Sequence, residues 1–212
     1  MTLIMYMAVS IDGIAALDGK NGIERYGSRE DHDFFLAGAK SCDAVIMGKN
    51  TAASFKVYGL PNFILTHDSD LLQAKKLPQA KILQQDQNPA GAEAAKAQGQ
   101  DQDARGSGRT CERVYLSGQP QEVCKALEAR GIKKAALLGG PFTNAQFLRA
   151  GLVDEIFLTV EPVTLGRGIR FLNEPLESFW TLAGAKVLNE RGAIVLHYVA
   201  SAGRGETARK NA

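Results

Sequence analysis

Cysteine is scarce in this chain of 212 residues. Cys42, Cys111 and Cys124 are odd in number and widely spaced, form no C-x-x-C pair, and have no Cys/His cluster near them that could hold zinc. That excludes a disulfide scaffold and a structural zinc module, and it points to reduced thiols in a cytoplasmic protein. A one-signed charge block is also missing. The 25 basic residues nearly balance 23 acidic ones, for a formal charge of +2, so phosphate-backbone tracking along nucleic acid is not expected and a small-molecule partner is. Met1 to Tyr6 is apolar, but it has no basic leader and meets Asp12 too early for a signal peptide or a membrane span. No G-x-S-x-G elbow supports a hydrolase triad, and neither the Rossmann G-x-G-x-x-G nor the Walker G-x-x-x-x-G-K-[ST] is present. His32, His67 and His197 are far apart without metal-like neighbours, so no metal is expected.

The pattern of what is present is that of one α/β domain over residues 1–200, with a loose tail over 201–212. Ile4 to Ser10 reads as a buried strand that stops at Asp12-Gly13. Ser28 ahead of Glu30 and Asp31, with Phe34, Phe35, Leu36 and Ala39 behind, predicts a capped helix from about Arg29 to Lys40. Asp43–Gly48 and Asn62–Thr66 read as strands around a helix near Asn50–Phe55, which is the unit of a parallel sheet. Further strands are expected at Lys81–Leu83, Arg113–Leu116 and Ala135–Leu138, with helices at Gln121–Arg130 and Asn144–Ala150. Beyond Asp154 the strand-like runs Ile156–Val160, Thr181–Leu188 and Ala193–Ala200 have no helix between them. The last two flank the turn residues Asn189 to Gly192, predicting an antiparallel hairpin. Residues 84–108, rich in Gln, Ala, Gly and Asp, are expected to form a mobile loop.

Two segments have the chemistry of a phosphate cradle. In Leu138-Gly139-Gly140-Pro141-Phe142-Thr143 a strand runs through two glycines into a helix start, so backbone N–H groups and the helix dipole converge where no Cβ obstructs. Met47-Gly48-Lys49-Asn50-Thr51 repeats the arrangement with a cation and a hydroxyl. The plainer alternatives are a tight turn that needs glycine for geometry alone and a solvated surface lysine. Glu30 and Asp31 form a third feature: one carboxyl of the pair can face an apolar cleft, hold its proton near neutral pH and donate it, while the other faces water. Two acids that merely complement the helix dipole are the competing reading.

Taken in order, Met7 to Gly13, Ser28 to Phe35, Ala44 to Thr51, Phe63 to Thr66, Leu138 to Pro141, Gly151 to Glu155 and Glu161 to Gly168 resemble the dihydrofolate-reductase-like superfamily. The nearest branch is that of the C-terminal reductase domain of the bacterial riboflavin-biosynthesis deaminase-reductase. The resemblance implies a mostly parallel central sheet flanked by helices with a C-terminal antiparallel hairpin. It implies NADPH as cofactor, with Gly139, Gly140, Pro141, Phe142 and Thr143 cradling the pyrophosphate and Gly48, Lys49 and Thr51 beside the adjoining phosphates. Thr66 and His67 are implied near the adenosine 2′-phosphate, the backbone of Ala8 and Val9 at the nicotinamide, and Asp12 and Phe35 on the substrate side. Asp31 matches the acid of the first helix, with Glu30 the near alternative. A homodimer is expected on the same ground.

Departures from the family pattern bear on substrate. Leu60 stands where folate enzymes carry the arginine that grips the glutamate tail, while Ile14 and Leu138 replace the Lys and Glu usual in riboflavin reductases. The H-x-E and P-C-x-x-C motifs of the deaminase half are absent, so at most the reductase half is expected. The expectation is an NADPH-dependent reductase of a small heterocycle or carbonyl compound, similar to 5-amino-6-(5-phosphoribosylamino)uracil reductase. Dihydrofolate-reductase-type activity and a non-catalytic NADPH-binding protein are the alternatives.

Overall fold

A computed structural model describes residues 1–17, 26–68, 111–172 and 175–201. The strand expected at Lys81–Leu83, the loop at 84–108 and the tail from 202 onward lie outside the described residues. In chain order the elements are β1 (Thr2–Ser10), β2 (Ile14–Ala16), α1 (Arg29–Lys40), β3 (Ala44–Gly48), α2 (Lys49–Ser54), β4 (Asn62–Leu65) and β5 (Arg113–Leu116). They continue with α3 (Pro120–Glu128), β6 (Lys134–Leu137), α4 (Pro141–Arg149), β7 (Glu155–Glu161), β8 (Ile169–Arg170), β9 (Trp180–Val187) and β10 (Ile194–Ala200). Helices α2 and α3 start one residue earlier than expected, and α4 starts three residues early. Pro141 takes its first position, where a missing N–H costs nothing and the fixed φ suits a helix.

Eight strands form one sheet in the order β5-β4-β3-β6-β1-β7-β10-β9. The first six are mutually parallel, and β10 runs antiparallel to both β7 and β9, giving the expected C-terminal hairpin. Period-two alternation sorts the strands between two cores. Leu3, Met5, Ala44, Ile46, Ala135 and Leu137 face one side, where α3 and α4 contribute Leu127 and Phe147. Ile4, Tyr6, Val45, Met47, Ala136 and Leu138 face the other, with α1 and α2 contributing Ala39 and Ala52. In the motif before β7, the Asp154 carboxylate accepts from the Leu3 N–H at 2.8 Å while its own N–H donates to the Leu3 carbonyl at 2.9 Å. That clamp sets the β1–β7 register in which Ala8 lies beside Thr159 and Ser10 beside Glu161.

Helix α1 is capped by Ser28, whose hydroxyl accepts from the Asp31 N–H at 3.2 Å; such caps contribute about 1 kcal/mol. Its glycine, Gly38, is explained by packing. A Cβ there would lie 2.5–2.7 Å from the ring and hydroxyl of Tyr6, and Tyr6 is itself held by stacking on Phe157 and an edge contact to Phe35. Alanine would gain about 1 kcal/mol in helix propensity, but overpacking of this kind costs about 1–3 kcal/mol. Gly38→Ala is therefore expected to destabilise the protein by roughly 1–2 kcal/mol in urea unfolding, opposite in sign to the propensity change.

Strands β2 and β8, which the sequence pattern did not predict, form a small second sheet. Gly168, at φ +140°, lies against the Ala16 carbonyl, leaving no room there for a side chain.

Candidate functional site

Strand β3 continues outward to β4, whereas its neighbour β6 continues the opposite way, past β1, to β7. Connections that diverge from adjacent parallel strands leave a crevice at the strands' carboxyl ends, where ligands bind in open α/β sheets. Both glycine corners lie there. The Gly48 N–H donates to the Gly139 carbonyl at 2.8 Å, and Leu138 N–H donates to the Ile46 carbonyl at 2.8 Å. The corners interlock: a Cβ on Gly48 would fall 2.6 Å from the Thr143 hydroxyl, and one on Gly140 would fall 3.5 Å from the Thr51 hydroxyl. Gly139 has φ +85°, a conformation that needs glycine, and is joined to Gly140 by a cis peptide bond. Gly48, Thr51, Gly139, Gly140, Pro141 and Thr143 are thus brought together, while Phe142 is 68% exposed.

Beneath the corner lies Asn144, fully buried. Its amide nitrogen donates to the Met7 sulfur at 3.4 Å and its Oδ1 has no hydrogen-bond partner among the described residues. An unsatisfied buried acceptor costs about 1–3 kcal/mol, and here it adjoins a cradle kept clear of Cβ atoms. The glycine corners, with backbone open to a ligand and a helix start behind Gly140, fit an anionic ligand such as the pyrophosphate of a dinucleotide.

The acidic side of the site is built from α1 and β7. Asp31 is partly buried and accepts a hydrogen bond from Thr159; burial, with the Glu161 charge adding to it, pushes its carboxyl above the ordinary range, against opposing contributions from Thr159 and His32. Glu161 is 1% exposed. Its Oε1 accepts from both the N–H and the hydroxyl of Ser28 at 2.8 Å, so the residue that caps α1 also ties Asp31 to the sheet. Ala8, small and beside Thr159 in the register, leaves this wall open, and Val9 is buried with its side chain directed to the opposite face. Phe35, one turn on from Asp31, packs on Tyr6, His32 and Phe55.

Glu30 sits elsewhere. It is exposed, bonded by the Asn189 amide at 3.2 Å, and its carboxyl is held low by its own backbone N–H and by Asn189. Asp12 has both oxygens committed: Oδ1 accepts from Ser10 Oγ at 2.7 Å and Leu165 N–H at 3.1 Å, and Oδ2 accepts from Gly166 N–H at 2.7 Å. The Ser10 hydroxyl and those two amides lower its pKa to about 2, so Asp12 organises the β1–β2 turn against the 163–166 loop. A carboxyl whose folded-state pKa is depressed stabilises above the unfolded value and loses that contribution as pH falls. The melting-temperature gap between wild type and Asp12→Asn is accordingly expected to be full at neutral pH and to close as pH falls from about 4 to about 2.

At the far end of the crevice Thr66 is buried, its hydroxyl accepting from the Asp68 N–H at 3.1 Å, while His67 is exposed. Lys49 Nζ meets Asp68 Oδ2 at 2.9 Å. Thr159, Glu161, Asn144 and Asp68 were not singled out from sequence. Of these, Glu161 carried a signal, as the charged residue that follows the strand-like run Ile156–Val160 and opens the Glu161-to-Gly168 motif. A depression of about 570 Å³ lined by Met1, Glu128 and Lys133 lies at the strands' amino ends, away from these groups, and the crevice is the better candidate on chemistry. Among the described residues no helix is long and apolar enough to cross a membrane, and no three potential ligands cluster for a metal.

Residues 1–191 match the family described as the RibD C-terminal domain. No curated protein matches the chain. Among solved structures, a pyrimidine reductase-like protein from Corynebacterium diphtheriae is 18% identical, with a TM-score of 0.63 over 94% of this chain and 92% of that one. RibD from Acinetobacter baumannii is 20% identical with a TM-score of 0.65, and the chain covers 58% of its length. A Thermotoga maritima diaminohydroxyphosphoribosylaminopyrimidine deaminase/5-amino-6-(5-phosphoribosylamino)uracil reductase is 11% identical with a TM-score of 0.64, 56% of its length being covered. At these identities the likeness establishes the fold, and the chain spans a little over half of the two longer proteins.

Proposed function

Because this chain belongs to the RibD C-terminal domain family, whose members are reductases, we propose that it uses NADPH to reduce a small heterocyclic or carbonyl substrate, with Asp31 supplying the proton. The observation that carries this reading is the packing of Asp31, a partly buried carboxyl that holds its proton more tightly than usual, on Thr159 of β7, with only β1 between that strand and β6, which runs into one of the two interlocked glycine corners. When bound, the nicotinamide supplies the hydride. The chain's own residues do the rest. The Gly139–Gly140 corner presents backbone to phosphate without Cβ interference, with Thr51 and Thr143 beside it. Thr159 and Ser28 hold Asp31 in place, and Glu161, buried behind them, favours its protonated form, so the carboxyl that would donate to an acceptor carbon's neighbouring nitrogen or oxygen holds its proton more tightly than an ordinary aspartate.

For the substrate, an aminopyrimidine of the kind named for the Thermotoga protein heads the panel by family. Ile14 and Leu138 are buried, and Leu60 packs against the apolar core, so none of the three offers a charge to a ribityl phosphate or a glutamate tail. We therefore favour a smaller, less anionic heterocycle over dihydrofolate. The test is NADPH oxidation followed by absorbance across aminopyrimidine, pterin and carbonyl substrates. Turnover with at least one supports the reading, and NADPH binding with no oxidation across the panel would sink it.

A further inference from the structure

The order of strands assigns the two ends of a dinucleotide, and this step rests on the reading above. With the pyrophosphate at the β3 and β6 corners, the reacting ring must lie toward β1 and β7, where Asp31 packs on Thr159. The adenosine end then runs the other way, over β3 and β4. A dinucleotide lying that way would bring its adenosine ribose toward the carboxyl end of β4, where Thr66, His67 and Asp68 follow the strand.

The Lys49 ammonium reaches that place already paired to Asp68 at 2.9 Å. Asp68 is not a loose partner: its N–H is bonded to the Thr66 hydroxyl, and the Thr66 N–H is bonded to the Leu116 carbonyl at 3.0 Å. A phosphate drawn to Lys49 meets a carboxylate within ion-pair distance of the same ammonium, a like-charge contact that weakens binding. A ribose hydroxyl arriving there meets an acceptor. We propose that Asp68 is a specificity-determining residue for the cofactor: it masks Lys49 from a 2′-phosphate and accepts from a 2′-hydroxyl, so that NADH is bound within about tenfold of NADPH.

Among the described residues, the charged and titratable groups at this end are Lys49, Asp68 and the exposed His67. The experiment is calorimetric titration of the whole chain with NADPH and with NADH at pH 8, for wild type, Asp68→Asn and Lys49→Met, with melting curves to show that each variant is folded. Asp68→Asn is expected to shift the affinity ratio toward NADPH by roughly tenfold, and Lys49→Met is expected to weaken NADPH more than NADH. Binding of both cofactors with a ratio unmoved by Asp68→Asn, or moved toward NADH, overturns this assignment and leaves the reductase reading standing. Failure of wild type to bind either dinucleotide overturns both.

Discussion

Asp31→Asn is expected to lower turnover by about 10²–10⁴-fold, the usual contribution of a positioned general acid, while leaving NADPH affinity unchanged and making the unliganded protein more stable. The two effects have one origin. Burial and the Glu161 charge raise the proton affinity of Asp31 in the fold, so above the ordinary carboxylate range the native state binds more protons at this site than the unfolded chain does. Stability must then fall as pH rises from about 4 toward the raised folded-state value, because the unfolded form gains the advantage of ionising. Asparagine keeps the shape, and its carbonyl can still accept from Thr159, but it has no proton to lose. The melting temperature of Asp31→Asn should therefore draw ahead of wild type through that pH window and stay ahead above it. A variant with wild-type turnover would remove Asp31 from the reaction. A variant that lost turnover but melted below wild type at neutral pH would mean that the carboxylate supports the fold and carries no stored cost.

Gly139→Ala is expected to produce the second large effect, on binding and on stability together. At φ +85° an alanine is strained, by about 1–2 kcal/mol, and its Cβ would lie 3.2–3.5 Å from the Asn144 amide, which is fully buried. Relieving that contact would distort the Gly139–Gly140 turn whose backbone faces the phosphate. A fall in melting temperature with NADPH affinity weakened by tenfold or more, on the order of 1.4 kcal/mol, is the expected result, measured by thermal unfolding and fluorescence titration. Gly48→Ala separates the two components. Its φ of −75° suits alanine, and the only close neighbour is the Thr143 hydroxyl, a side-chain tip that can rotate, so stability should change little while the corner is still obstructed. If Gly48→Ala also left NADPH affinity intact, the corner would be a turn and not a cradle.

Much of the architecture was legible in sequence because its signals are local. Ser28 ahead of two acids and an apolar face marks α1, and apolar runs ending in glycine mark β3 and β6, so these elements fall within a residue or two of expectation. Strands of two or three residues, such as β2 and β8, carry no periodicity to read. The insertion of β6 between β3 and β1 is a long-range pairing that no window of sequence contains, yet it is what brings the two glycine corners face to face. The same limit applied to the site. Glu30 and Asp31 are adjacent on a helix, and only the packing of α1 on β7 turns Asp31 toward Thr159 and leaves Glu30 with Asn189 in solvent. Asp12, which the family resemblance placed on the substrate side, proves to have both carboxylate oxygens taken up by the β1–β2 turn and the 163–166 loop. Glu161 supports Asp31 from 130 positions away in the chain, through Ser28, and Asp68 matters only because Lys49 reaches it across two strands' ends.

The central claim, that the interlocked glycine corners hold a reducing dinucleotide beside Asp31, is tested most directly by titrating the protein with NADPH and following nicotinamide fluorescence. Saturable binding with a dissociation constant in the range of about 1 μM to 1 mM, lost or much weakened in Gly139→Ala and retained in Asp31→Asn, is the predicted result. Absence of saturable binding to the folded wild-type chain at millimolar NADPH, or binding indifferent to Gly139→Ala, would contradict it.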